Sequence, residues 1–140
     1  MTYTRTVTVD MPYEQAMERT RAALAEQGFG ILTEIDVNAT FAAKLGDEAA
    51  DKVGAYTILG ACNPGLASKA LSAEPELGAL LPCNVVVRRG KDAEQTTIEA
   101  IDPQTMVQLS GSPQVREVAD DADVRLRAAL SAISDAASGS

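Results

Sequence analysis

The sequence predicts an α+β fold in which helices cover one face of a sheet and leave the other face open. Strand-like alternation and helical periodicity are interspersed along the chain, in the order β-α-β-α-β-α-β-β-α-α. The longer helical patterns lie near the two ends, with a hairpin pattern between them. At 140 residues the chain has the usual length of one domain. We expect residues 1–135 to form that domain, followed by a disordered tail of small and polar residues at 136–140.

The first third of the chain contains two strand patterns separated by a helix. Residues 3–9 alternate, and are rich in β-branched and aromatic side chains, so they predict a strand. Pro12 stands near the first position of the helix that follows, and Gly28 stands where that helix should end. Residues 29–35 predict the second strand.

The middle of the chain continues with a short helix, a charged segment, a strand and another helix. Asp36 is placed to cap the short helix, which ends at Gly46. The charged residues 47–53 predict a loop or an extra turn. Residues 55–62 predict the third strand, and a helix over 64–73 follows it, with Asn63 placed to cap its start. One face of this strand should carry four residues, namely Tyr56, Ile58, Gly60 and Cys62.

The last third predicts a hairpin and two helices. Strands over 83–89 and 94–101 are joined by a turn. Asp102 precedes a proline and should cap a short helix, and Ser112 should start the last one. The wet side of that last helix should carry Arg116, Asp120, Asp123 and Arg127. Its apolar stripe comprises Val115, Val118, Ala119, Ala122, Leu126, Ala129, Leu130 and Ile133.

Composition excludes several classes of function. The chain has no histidine, which removes histidine general bases, catalytic dyads with histidine and histidine–metal sites. Its net charge of −8 argues against partners with anionic surfaces, so we expect neither nucleic-acid nor membrane binding. No stretch approaches the roughly 20 apolar residues that span a bilayer, and the N-terminus lacks the apolar centre of a signal peptide. The expected location is therefore the cytoplasm.

Both cysteines occur in Cys-Asn dipeptides next to a proline. Cys62-Asn63 precedes Pro64 where a strand should end and a helix begin, and Cys83-Asn84 opens a later strand. A thiol at a helix N-terminus faces unpaired amides and the positive end of the helix dipole, which favours its thiolate. The segment between them is long enough to return Cys83 to the place that Cys62 left. We therefore expect the two cysteines and both asparagines around one partly accessible pocket.

Three interpretations of this pair stay open. The cysteines can be inert, buried and apolar, as free cysteines often are. They can line a polar ligand pocket with Asn63 and Asn84, or they can act as a redox dithiol, although the spacing is not Cys-x-x-Cys. No cofactor is implied, and a zinc site would need ligands that two cysteines cannot supply. A thiolate-bound soft metal or haem is a variant of the ligand pocket.

A second candidate for chemistry is the acidic pair Glu34 and Asp36, which should point to the same face of one strand. Paired carboxylates can perform acid–base catalysis. The simpler interpretation is that Asp36 caps a helix.

The segments 28–36, 58–64 and 78–87, with 101–103 and the terminal helix, resemble the family called domain of unknown function 302. The resemblance covers nearly the whole chain, and the double Cys-Asn pattern is its most specific part. It implies a fold of the TATA-binding-protein kind, with a curved antiparallel sheet and helices packed on one face. It also implies a homodimer, and it implies no established reaction.

These expectations combine into a dimeric binding module with a small-molecule site at Cys62, Asn63, Pro64, Cys83 and Asn84. The first alternative is a thiol-dependent enzyme or redox protein that uses Cys62 as nucleophile and Cys83 as its resolving partner. The second is a structural or interaction domain with inert cysteines.

Overall fold

The computed structural model describes residues 3–138 and contains one five-stranded sheet. The strands are β1 (Thr4–Val9), β2 (Gly30–Asp36), β3 (Ala55–Cys62), β4 (Cys83–Arg89) and β5 (Thr96–Ile101). The helices are α1 (Tyr13–Glu26), α2 (Val37–Leu45), α3 (Asp47–Val53), α4 (Pro64–Ala73), α5 (Gln104–Leu109) and α6 (Pro113–Ser138). A 3₁₀ helix, Pro75–Leu80, follows α4.

The sheet has the order β1-β5-β4-β3-β2, and every neighbouring pair is antiparallel. Helices α1 and α6 contact each other and lie against one face of the sheet. Along each central strand, alternate residues are buried under these helices, whereas their neighbours point to the other face. The predicted α+β class and the one-sided packing are therefore confirmed.

Two apolar clusters form the core. The larger joins the sheet to α1 and the second half of α6, around Leu24, Leu59, Ile98 and Leu126. The smaller joins α4, α5 and the first half of α6, around Met106 and other buried side chains. All eight residues of the predicted apolar stripe of α6 are buried, because the helix packs on both clusters along its length. The space where the two clusters meet contains the candidate site.

Three helix caps follow the sequence prediction. The Ala39 amide donates to Asp36 Oδ1 (2.9 Å), and the Leu66 amide donates to Asn63 Oδ1 (3.1 Å). The Gln104 amide donates to Asp102 Oδ1 (2.9 Å). Each bond satisfies one of the amides that a helix start leaves without a partner. The Asp36 side chain is thus used as a cap, as the simpler interpretation held.

The segment 47–53, for which the sequence predicts a loop or an extra turn, forms the seven-residue helix α3. Gly46, with a φ of +100°, turns the chain, and the acidic first turn of α3 lies at the positive end of its dipole. The Asn38 amide donates to the carbonyls of Ala50 (3.0 Å) and Gly54 (2.8 Å), which ties the end of α3 to α2. These long-range bonds stabilise a helix whose seven residues show no clear apolar stripe.

One further prediction on the last helix needs correction. Asp123 is 8 % exposed and is not on the wet side, because Arg5 of β1 holds its carboxylate through two bonds of 3.3 and 3.2 Å. Arg127 also contacts it, at 3.2 Å. Helix α6 extends through Ser138, and residues 139–140 of the predicted tail lie outside the described part of the chain. No helix within residues 3–138 is long and apolar enough to cross a membrane.

Candidate functional site

A small cavity of about 40 Å³ lies between the start of α4, the facing ends of β3 and β4, and α5. We call it the thiol cavity, because Cys62 and Cys83 both line it. Apolar side chains from both core clusters supply most of its wall, including Phe29, Leu66, Leu81, Met106 and Val118. The cavity therefore marks the place where the two clusters meet without filling the space between them.

Strand pairing brings the two cysteines to the same edge. Ala61 of β3 stands directly opposite Cys83 of β4, so Cys62 is one residue beyond that pair. Strict alternation along β3 would place Cys62 on the open face with Ile58, but Cys62 is the last residue of the strand, next to the start of α4, and it lines the cavity. Cys83 points toward the helices and is buried, whereas Cys62 ends its strand and is only partly buried. The structure thus brings together two thiols that are 21 positions apart in the sequence. It also makes them unequal in access to solvent.

Asn63 also lines the thiol cavity, but its side chain is already engaged. Its Oδ1 caps α4, and its Nδ2 lies beside Gly28, where the Arg125 guanidinium also lies. Arg125 in turn donates to the Gln27 carbonyl at 2.8 Å. The asparagine therefore lies where the start of α4 meets the end of α1. Pro64, the first residue of α4, is exposed and lies outside the cavity lining.

Asn84 does not join this group. It is paired with Gly60 and points to the open face of the sheet, where it is exposed. There it borders a shallow depression of about 420 Å³, with Tyr3, Tyr56 and Val86 among its neighbours. The strand repeat of two residues explains the split, since consecutive residues of a strand face opposite ways. The thiol cavity is thus lined by both cysteines and Asn63, whereas Asn84, expected in the same pocket, lies on the open face.

Burial sets the acid–base behaviour of the inner thiol. Desolvation, and to a lesser degree the nearby Cys62 thiol, raise the pKa of Cys83 from 9.0 to about 11. Cys83 is therefore a protonated thiol at neutral pH. In that form it is a poor nucleophile, since the thiolate is the reactive species.

The other candidate pair carries no catalytic geometry. Glu34 forms an ion pair with Arg21, and Asp36 caps α2. Within residues 3–138, no three side chains of the histidine, cysteine, aspartate and glutamate types converge on a metal position. Both acidic residues are thus occupied by structural contacts.

Sequence reasoning missed several residues that line the thiol cavity. Met106 lies within the short helix that the sequence predicts, yet nothing in its local pattern places it beside a cysteine more than 20 positions away. Phe29 and Leu81 were assigned only to a strand start and a connecting segment. Their role depends on the packing of α4 and α5 against α6, which is a long-range feature.

Comparisons with known proteins agree on one family. The profile of the family described as "Domain of unknown function DUF302" matches residues 5–133. A crystal structure of an uncharacterized conserved DUF302 protein from Bacillus stearothermophilus is similar, with a TM-score of 0.81 and 29 % sequence identity. The similarity covers 95 % of this chain and 99 % of that one. No curated protein matches the chain. With its profile match over most of the sequence, the chain belongs to the DUF302 family.

Proposed function

We propose that the protein is a dimeric binding module whose ligand occupies the thiol cavity and contacts Cys62 and Cys83. The observation that carries this proposal is the convergence of both cysteines of the chain on one cavity between the two core clusters. Well-packed interiors leave few such spaces. The thiols of Cys62 and Cys83 are polarizable sulfur groups, so the space that they border is suited to a ligand that binds sulfur.

The size and lining of the cavity restrict the ligand. Drug-sized molecules occupy pockets of about 300–1,000 Å³, far more than the 40 Å³ here. The lining is mostly apolar, and the one asparagine in it is engaged as a helix cap. The ligand class is thus a single ion or a group of a few atoms. Entry past Cys62 is favoured, because Cys62 is partly exposed and Cys83 is not.

Redox or nucleophilic catalysis is the less favoured alternative. A resolving cysteine must become a thiolate to attack its partner. The raised pKa of Cys83, about 11, leaves little thiolate at neutral pH.

The interpretation that both cysteines are inert accounts well for Cys83, but it does not account for the partial exposure of Cys62 beside a cavity.

The open face of the sheet supports the dimeric part of the proposal. Its centre is apolar, where Ile35 pairs with Ile58, and Ile58 pairs with Val86. Among the strand residues that point to this face, the charged ones are Arg88 and Glu99, and they form an ion pair with each other. A chain of net charge −8 therefore presents a nearly neutral surface here, on which two copies can meet without repulsion.

Native mass spectrometry of the protein purified from the cells that naturally produce it tests the proposal. We expect the mass of a dimer, with an additional mass retained by each chain. The Cys62→Ala and Cys83→Ala variants, purified in the same way, should lose the additional mass. They should keep the circular dichroism spectrum of the native protein.

A matched control is Met17→Leu, since Met17 is a buried sulfur-containing residue on α1, outside the cavity lining. It should retain the additional mass. A bare chain mass in every preparation would contradict ligand binding, and a monomer mass would contradict the dimer.

A further inference from the structure

We infer that the thiol cavity is a site for a soft monovalent cation of the Cu(I) type, held by the sulfurs of Cys62, Cys83 and Met106. This inference rests on the proposed function and specifies its ligand. Three of the six sulfur-containing residues of the chain line this one cavity, and they come from β3, β4 and α5. Thiolates and thioethers are the ligands that select Cu(I).

The donor set argues against zinc, calcium and magnesium. The chain has no histidine, and no three histidine, cysteine or acidic side chains converge within residues 3–138. A structural zinc site almost always takes four ligands, and calcium and magnesium take oxygen ligands. Asn63 Oδ1, the side-chain oxygen among the residues that line the cavity, already accepts a hydrogen bond from the Leu66 amide. The wall of the cavity therefore offers sulfur and hydrocarbon, which suits a cation of low coordination number.

The size and position of the cavity support the same assignment. A volume of about 40 Å³ accepts a single ion and little else. Binding replaces the protons of two thiols: two S–H bonds break, two S–Cu bonds form, two protons go to solvent, and copper keeps its oxidation state. The product carries one negative charge, which the positive end of the ten-residue helix α4 stabilises. Displacement of the protons by the metal also explains how the buried Cys83 thiol can serve as a ligand, because metal binding couples to deprotonation.

Competition with bicinchoninate tests the inference. The purified full chain, freed of metal, is titrated into the coloured Cu(I)–bicinchoninate complex in the presence of ascorbate. We expect the protein to withdraw one Cu(I) per chain. Cys62→Ala and Cys83→Ala should abolish the withdrawal, and Met106→Leu, which removes one ligand, should weaken the affinity by at least the roughly 10-fold that loss of an outer-shell partner costs. Met17→Leu, which removes a buried thioether outside the cavity, should behave like the unchanged protein.

Thermal melting separates loss of binding from loss of folding. Each variant is also melted with and without Ag(I), a redox-inert probe of the same class. We expect Ag(I) to raise the Tm of the unchanged protein and of Met17→Leu, and to leave the Tm of the folded cysteine variants unchanged.

Two results would overturn the inference. One is that bicinchoninate keeps all of its copper in the presence of the unchanged protein. The other is that Cys62→Ala, Cys83→Ala or Met106→Leu competes as well as the unchanged protein. The mass retained by protein from its natural source then decides the proposed function separately: a retained ion or group of a few atoms other than copper, lost in Cys62→Ala, would uphold a ligand cavity that does not hold copper.

Discussion

At the residue scale, Gly60 and Cys83 are both closely enclosed by the residues around them. Gly60 lies opposite Asn84 on the open face, and the side chains of Thr33 and Pro82 cover it. Cys83 is buried beneath the helices on the other face. Each residue is constrained by close contact with its surroundings.

Gly60→Ala should destabilise the fold by about 1–3 kcal/mol, the usual cost of overpacking. A Cβ at this position would come within 2.8 Å of the Pro82 ring, which cannot rotate away, and would also overlap the Thr33 hydroxyl. Urea unfolding monitored by circular dichroism measures the change. Gly111→Ala is the control, since nothing lies within 4 Å of a Cβ there. Equal unfolding midpoints for the two variants would refute the close packing around Gly60.

Cys83 should make the stability fall with rising pH. Its pKa is about 11 in the folded protein and 9.0 in the unfolded chain, so the folded state binds more protons between these values. The associated stability is fully present below pH 9 and is lost as the pH rises through 11, by about 2–3 kcal/mol in total. Unfolding measured at pH 8, 9, 10 and 11 should therefore show a steeper decline for the unchanged protein than for Cys83→Ala. Parallel curves would mean that Cys83 is not desolvated.

At the scale of elements, local patterns predicted most of the fold. Asp36, Asn63 and Asp102 were recognised as caps because a cap depends only on the residues that follow it. The local pattern of α3 predicts only a loop or an extra turn, because the stability of this helix depends on Asn38 of another helix. The site was partly predictable: a repeated Cys-Asn dipeptide pointed to both cysteines, but strand alternation separates Asn84 from them. Met106 reaches the cavity through tertiary packing that no local pattern encodes.

The orientation of α6 about its own axis, which decides which of its residues face the core, gives the prediction at the scale of elements. Leu126→Ala should lower the free energy of unfolding by about 2–5 kcal/mol, because the side chain is fully buried between α6 and the sheet. Val124→Ala on the same helix should change it by less than about 0.5 kcal/mol, since Val124 is 69 % exposed. Arg127 is a poor control, because it contacts the buried Asp123 carboxylate. Chemical denaturation of both variants measures the contrast, and similar losses would show that the helix is rotated.

At the scale of the whole molecule, the sheet separates two surfaces with different roles. One face carries the helices, and the thiol cavity lies at its edge. The other is open, nearly neutral and apolar at its centre, and we propose it as the dimer interface.

Val86→Arg should therefore convert the dimer to a monomer without unfolding the chain, because Val86 lies at the centre of the open face. Multi-angle light scattering at micromolar concentration should give twice the chain mass for the unchanged protein and one chain mass for the variant. Val124→Arg places the same charge on an exposed site of α6 and should stay dimeric. A monomer mass for the unchanged protein, or a dimer mass for Val86→Arg, would contradict this interface.

The central claim is that the thiol cavity opens to solvent at Cys62 and is closed by Cys83. Alkylation of the folded, ligand-free protein with iodoacetamide, followed by peptide mapping, tests it most directly. We predict that Cys62 is modified in the folded protein, whereas Cys83 is modified only after denaturation, because Cys62 is partly exposed and Cys83 is buried with a raised pKa. Resistance of both cysteines until denaturation, or equal modification of both in the folded protein, would contradict the account.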